Sequence, residues 1–257
     1  MKKIVRITSL VLLLLIAFAF AAPFVFKGKI ISIIKSQVNK NLNASVDFTD
    51  ADVSLFRHFP KLAVAIDNLK VTGIDEFADD TLISASNIDI SLNLMSVFSG
   101  DNMKIYAINI NEPRIHAIVH KNGHANWSIT KPDTAQQENT TASAPFKMKL
   151  QKYSISNGYV NYKDEASNMS SEIINLNHEG SGDFTADLFT LTTKTNADAV
   201  SFNYGGVPYL LRTKTTLDAD IQVDNKTNKY SFKTDKIALN DLKLNAEGFF
   251  QFAHDGA

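Results

Sequence analysis

Residues Leu217–Asp224 read LDADIQVD, and this octapeptide decides the fold class of the chain. Its apolar members are Leu217, Ala219, Ile221 and Val223, and every residue between or after them is Asp or Gln. Successive side chains of a β-strand point to opposite faces. A period of two therefore predicts a strand with one buried and one solvated face.

The same alternation recurs through most of the chain after residue 44. It covers residues 62–66, 88–94, 106–110, 146–150 and 200–204, and turn-forming residues stand at 205–206, 225–228 and 240–241. Strands of this kind, separated by Gly and Asn turns, are typical of antiparallel sheets. We therefore predict a mainly β fold, with an antiparallel curled sheet that forms either a groove or an open sandwich.

The N-terminus carries an almost unbroken apolar run at 7–26. At about 1.5 Å per residue, some twenty helical residues span roughly 30 Å, the hydrocarbon thickness of a bilayer. We therefore predict a transmembrane helix at 1–26 that acts as a signal anchor. Its anchor residues include Leu10, Leu13, Leu15, Phe20 and Phe24. The alternative is a cleaved signal peptide, because small-x-small patterns occur at 17–19 and 19–21.

Two further segments depart from the strand pattern. Residues 28–42 place apolar side chains at helical spacing, which predicts an amphipathic helix packed on the sheet through Ile31, Ile34 and Val38. Residues 131–145 contain no large apolar side chain and are predicted to be a flexible linker. The chain thus divides into an anchor at 1–26, a helix plus sheet at 27–130, the linker, and a continuing sheet at 146–257. A short helical turn is expected at 95–99.

Composition excludes several functions. The net charge is −1, which gives no electrostatic basis for binding nucleic acid, and there are no cysteines for disulfides or zinc. The spacing of His116, His120 and His124 suits a metal site on a helix, but the flanking alternation predicts a strand, where four residues span about 13 Å. No nucleophile or phosphate-loop motif occurs, so we expect neither an enzyme nor a cofactor.

Two weaker sequence patterns involve aromatic residues and a possible repeat. The aromatic residues Phe56, Phe59 and Trp127 could face lipid, although a core position is the ordinary expectation for such side chains. Residues 108–116 (ININEPRIH) and 155–162 (ISNGYVNY) share the order strand, polar turn, strand. This weak echo indicates a repeated strand-turn-strand unit.

The N-terminal half resembles the AsmA family, particularly its Bacteroidetes type. The resemblance rests on the predicted anchor, the amphipathic helix, the stretch 53–73 (VSLFRHFPKLAVAIDNLKVTG) and the pairs at 122–123 (Asn-Gly) and 126–127 (Asn-Trp). Where the family often has Asp, this chain has Asn122 and Ser128. The family is also usually several hundred residues longer, so we expect this chain to be a fragment, truncated after the apolar stretch at 249–252.

The resemblance implies a single-pass protein of the bacterial inner membrane with its body in the periplasm. It also implies similarity to bridge-like lipid-transfer proteins of the TamB and chorein kind and a role in outer-membrane biogenesis. The implied partners are the inner membrane, phospholipid acyl chains and other envelope proteins.

An apolar groove fits these implications, because one amphipathic helix cannot cover a dozen half-apolar strands. The candidate groove residues are Ile88, Ile90, Leu92, Leu217, Ile221 and Val223. The alternative is an anchored or secreted β-sandwich that binds a protein or glycan and carries no lipid. Alternation alone does not choose between the two.

Overall fold

The computed structural model describes residues 35, 39, 42–58, 61–93, 105–129, 150–184 and 186–252. The predicted transmembrane helix at 1–26 lies outside these residues, together with its anchor residues Leu10, Leu13, Leu15, Phe20 and Phe24. The turn predicted at 95–99 and the linker predicted at 131–145 lie outside them as well. Within the described part of the chain, no helix is long and apolar enough to cross a membrane.

The described residues form thirteen β-strands, all in one curled sheet. Their bounds are β1 Ser45–Asp47, β2 Asp50–His58, β3 Lys61–Thr72, β4 Thr81–Leu92, β5 Ile105–Asn111, β6 Arg114–Val119, β7 Lys152–Asp164, β8 Met169–Ser181, β9 Leu188–Tyr204, β10 Val207–Asp224, β11 Lys229–Leu239, β12 Leu242–Leu244 and β13 Glu247–Gln251. A 3₁₀ turn at Asp75–Phe77 connects β3 to β4. The mainly β prediction is confirmed, and the predicted strands fall within these strands wherever they are described, apart from end residues such as 93 and 150.

Thirteen strands occupy ten positions in the sheet, because three positions are filled by two short strands each. The order across the sheet is β1/β2, β3, β4, β5/β6, β7, β8, β9, β10, β11 and β12/β13. Each split pair shares its neighbours: β1 and β2 both pair with β3, and β12 and β13 both pair with β11. The sheet therefore runs almost entirely in sequence order.

The antiparallel sheet predicted from the sequence is found except at one position, which makes the sheet mixed. Strands β5 and β6 pair in parallel with β7, while the other pairings are antiparallel. Between the end of β6 and the start of β7 lie 120–151, a connection long enough to return the chain to the start of the neighbouring strand. Alternation within a strand carries no information on the direction of its neighbour, so the sequence pattern could not reveal this pairing.

Left-handed residues interrupt several strands at neighbouring positions. Asn157 has φ of 54° and Asn175 has φ of 53°, a region that Asn enters more readily than most residues. Glu112, with φ of 50°, separates β5 from β6, and the preceding Asn111 pairs with Ser156, which precedes Asn157. The bends of adjacent strands thus lie side by side. Aligned bends add to the natural twist and favour a curled sheet.

The helix predicted at 28–42 is described at two residues, Lys35 and Asn39, and both are helical. Leu42, its predicted last residue, is not. The Asn39 amide binds the β1 backbone as a neighbouring strand would: its Nδ2 donates to the Val46 carbonyl at 2.9 Å, and its Oδ1 accepts from the Val46 N–H at 2.6 Å. Packing through Ile31, Ile34 and Val38 concerns side chains outside the described residues.

Two apolar clusters lie on the sheet. The first is built on Val46, Val71 and Leu82, near the loop ends of β3 and β4. The second centres on Leu62, Leu92 and Ile105, which lie on the adjacent strands β3, β4 and β5, and it includes Leu150 just before β7. The fully buried side chains of the sheet are mostly alanine and valine, so the described core is thin.

Candidate functional site

Strand register places the two sets of candidate groove residues on one face of the sheet. Residues paired across neighbouring strands lie side by side on the same face. Ile88 pairs with Ile110, and Thr195 pairs with Leu217. The complete row, in strand order, is Ile66, Ile88, Ile110, Ile155, His178, Thr195, Leu217, Ile237 and Leu244. We call the face that carries this row the apolar face.

Most of the candidate residues are only half-buried. Ile88, Ile90, Leu217 and Ile221 are in this class. Leu92 and Val223 are buried, with 7% and 9% of their surface exposed, and Leu92 packs in the second cluster. Four of the six thus keep surface that a ligand could contact, whereas Leu92 and Val223 belong mainly to the protein's own packing.

The opposite face is polar along the adjacent row. This row reads Asp89, Asn109, Ser154, Glu179, Lys194, Asp218 and Lys236. Its side chains bind one another: the Ser154 hydroxyl donates to Asn109 Oδ1 at 2.8 Å, and Lys194 Nζ lies 3.9 Å from Glu179 Oε1. We call this the polar face. The sheet is therefore amphipathic across the seven strands β4, β5 and β7 to β11, with one side suited to water and one to hydrocarbon.

A polar network interrupts the apolar face near its centre. Tyr153 Oη lies 2.9 Å from His178 Nε2, and His178 Nδ1 lies 2.8 Å from Thr195 Oγ1. Burial lowers the pKa of His178 below its ordinary value and raises that of Tyr153, so both side chains are neutral at pH 7. The alternation of apolar and polar residues did not predict this network. The available signal was the presence of a histidine at a position where the alternation calls for an aliphatic residue.

The three histidines considered as metal ligands contact separate partners. His116 lies in β6, with its ring centroid 5.7 Å from that of Tyr159. His120 stacks on Phe77 at 4.8 Å, and His124 binds Glu76. The described residues contain no group of three metal-binding side chains.

The Glu76 contact joins two loops at one end of the sheet. His124 Nδ1 lies 2.5 Å from Glu76 Oε1, and Asn122 Nδ2 donates to Glu76 Oε2 at 3.3 Å. The hydrogen bond from His124 lowers the pKa of the Glu76 carboxyl. The Asn122-Gly123 turn is thereby fixed to the 3₁₀ turn. This arrangement holds the two loops together.

The aromatic prediction is wrong for Trp127, which has 43% of its surface exposed and lies 6.0 Å from the Tyr162 ring. The side chain of Phe56 and the whole of Phe59 lie outside the part of the chain that the structure describes. Other large apolar side chains are exposed at the last edge of the sheet and beside the turn that joins β9 to β10. They include Leu242, Phe249, Phe250, Phe252, Tyr204, Val207, Tyr209 and Leu211.

The stretches 53–73 and 122–127 lie within a region that matches a known protein family. No curated protein matches the chain. The sequence model of the AsmA family, in contrast, matches residues 1–246, nearly the whole chain. An unbroken match of this extent covers the predicted anchor and all strands from β1 to β12. This chain belongs to the AsmA family.

Proposed function

We propose that this protein binds phospholipid acyl chains along its apolar face and contributes in this way to outer-membrane biogenesis. In this proposal, residues 1–26 hold it in the inner membrane as a single span, the body lies in the periplasm, and no chemical step is catalysed. Membership of the AsmA family and the apolar run at 7–26 support this location.

The observation that carries the proposal is the row from Ile66 to Leu244 on the apolar face. Nine neighbouring strands lie about 4.8 Å apart, so the row is about 38 Å long, measured along the sheet. One leaflet of a bilayer has a hydrocarbon depth of about 15 Å, half of the usual 30 Å. An acyl chain that fills a leaflet therefore fits along the row, and each methylene it buries contributes about 0.8 kcal/mol.

The architecture favours a trough over a sandwich. All strands of the described residues belong to one sheet, and the strands in close contact are hydrogen-bonded neighbours. Ile88 and Ile221 keep part of their surface exposed, as expected where no second layer covers them. A sandwich would instead seal both against facing side chains.

Photocrosslinking in cells tests the proposal directly. A photoreactive amino acid at Ile88 or Ile221 should give lipid adducts that mass spectrometry identifies. The matched controls are the adjacent positions Asn87 and Gln222, which point to the polar face and should give none. Absence of lipid adducts at Ile88 and Ile221, or equal yields on both faces, would remove the proposal.

A second function, binding of an envelope protein, is favoured by one observation. Tyr204 and Tyr209 flank the turn at 205–206, and they have 50% and 62% of their surface exposed. Exposed tyrosines at a strand end are common in protein interfaces. The same photoreactive amino acid placed at Tyr209 distinguishes the two functions. Protein adducts at Tyr209, with no lipid adducts at Ile88, would favour protein binding over lipid binding.

A further inference from the structure

The network of Tyr153, His178 and Thr195 lies where a ligand on the apolar face would meet it. Its three residues belong to β7, β8 and β9, and each is half-buried, so each keeps some accessible surface. Ile155 and Leu217 flank it in the row and continue the hydrocarbon surface on either side. A polar centre thus stands between two apolar halves of the same face.

The position of the Tyr153 ring is fixed by a glycine. A Cβ atom added at Gly180 would lie 2.5 Å from two ring carbons of Tyr153, closer than real Cβ contacts allow. The ring therefore lies across β8 at Gly180, where only a glycine leaves room for it. This close packing holds the tyrosine hydroxyl beside His178.

Counting protons shows that the network has one donor left over. Neutral histidine supplies one N–H, and the two hydroxyls supply one proton each, which gives three protons for two hydrogen bonds. If His178 donates to Thr195, the threonine proton remains. If His178 donates to Tyr153, the tyrosine proton remains. No described residue accepts this third proton.

We propose that this spare hydroxyl proton is donated to a carbonyl oxygen at the polar end of an acyl lipid, whose hydrocarbon chain lies on the flanking aliphatic residues. This inference rests on the proposed function and adds to it a polar recognition site. Two sources share the required chemistry: the carboxyl group of a free fatty acid and the ester carbonyl of a phospholipid. The alternating tautomers of His178 let the donor appear on either side of the ring.

The test compares three photoreactive probes of equal chain length: a fatty acid, an alkane and a phosphatidylglycerol. The full chain is reconstituted in vesicles of ether-linked phosphatidylcholine, which has no carbonyl group to compete for the site, and labelling by the acid and the phospholipid is expressed relative to the alkane. The variant is the triple substitution Tyr153→Phe, His178→Leu and Thr195→Val, because removing one member alone leaves a donor elsewhere. Replacing all partners by apolar groups of similar shape should preserve folding.

We expect the triple variant to lower the ratio of carbonyl probe to alkane about fivefold, the usual worth of one hydrogen bond. Alkane labelling should be unchanged, which also shows that the variant folds. Thr192→Val serves as the control, since Thr192 is exposed on the polar face next to the network. It should leave the ratio unchanged.

The outcomes separate the two proposals. A fall with the acid alone assigns the site to fatty acids, and a fall with the phospholipid alone assigns it to ester carbonyls. A fall with both assigns it to the shared carbonyl. An unchanged ratio in the triple variant overturns the polar site but leaves the groove, because the alkane still labels. Failure of all probes to label the wild-type protein overturns the groove and the polar site together.

Discussion

Replacing Ile221 by Asp measures how open the apolar face is. Ile221 is half-buried and pairs with Leu191 of β9 and Phe232 of β11. Full burial of an isoleucine contributes about 1.5–3 kcal/mol, so the half-buried side chain contributes about 1 kcal/mol. The poor strand propensity of Asp costs up to about 1 kcal/mol more. On an open face the carboxylate stays hydrated, and we expect β10 to lose about 2 kcal/mol of stability.

A closed core would respond far more strongly. There the substitution would bury an unpaired carboxylate without water, and losses above about 4–5 kcal/mol are the mark of such burial. The two arrangements therefore differ by a factor of two or more in the expected loss. The difference is large enough to measure within one strand.

Amide hydrogen exchange on the full chain in nanodiscs gives the opening free energy of β9 to β11 for each variant. Thr190→Asp is the matched control: Thr190 is exposed on the polar face, and its partner Gln222 adjoins Ile221. It should cost at most about 1 kcal/mol, the propensity effect alone. A loss near 5 kcal/mol for Ile221→Asp would show that the face is sealed, and our reasoning about the trough would fail.

Three further predictions concern the bends, the network and the anchor. Asn157→Gly should leave the stability of β7 unchanged, whereas Asn157→Val should cost about 1–2 kcal/mol by hydrogen exchange, because a branched residue resists positive φ; equal effects would contradict this. Burial lowers the pKa of His178 below 6.5, so protonation favours the unfolded state and stability should fall as the pH drops through 6.5. His178→Gln should reduce that slope, and parallel slopes would show that His178 is not responsible. N-terminal sequencing of the membrane fraction should begin at Met1, and a start at Phe20 or Ala22 would indicate cleavage.

The sequence predicted those features of the fold that depend on side-chain alternation, namely the strands and their two faces. Residues 217–223 carry one apolar and one polar set, so the strand and its two faces follow from local chemistry. The common face of Ile88 and Leu217 also follows, once the strands are known to form one sheet. The direction of β7 does not, because it is set by the connection after β6 and not by any residue within the strands.

The sequence similarity between 108–116 and 155–162 corresponds to a structural relationship, although the segments are short. The two segments lie side by side as parallel neighbours, and each contains a left-handed residue, Glu112 or Asn157. Pattern analysis identified a polar break but could not tell a turn from a bend inside a continuing strand. The network at His178 was missed for another reason: its two bonded pairs are 25 and 17 residues apart in sequence and meet only through register.

Among the described residues, the strands that make extensive contacts are hydrogen-bonded neighbours, so the sheet behaves energetically as a linear array of strands. Its stability accumulates as a series of nearest-neighbour couplings, as in repeat proteins, and does not depend on a single shared core. A destabilising substitution in β9 weakens β8 and β10 directly, but it affects β3 only through the strands that lie between β9 and β3. Opening should therefore begin at the two margins and travel inward. Each stretch of the apolar face can accordingly change its side chains in evolution without disturbing the strands at the other end.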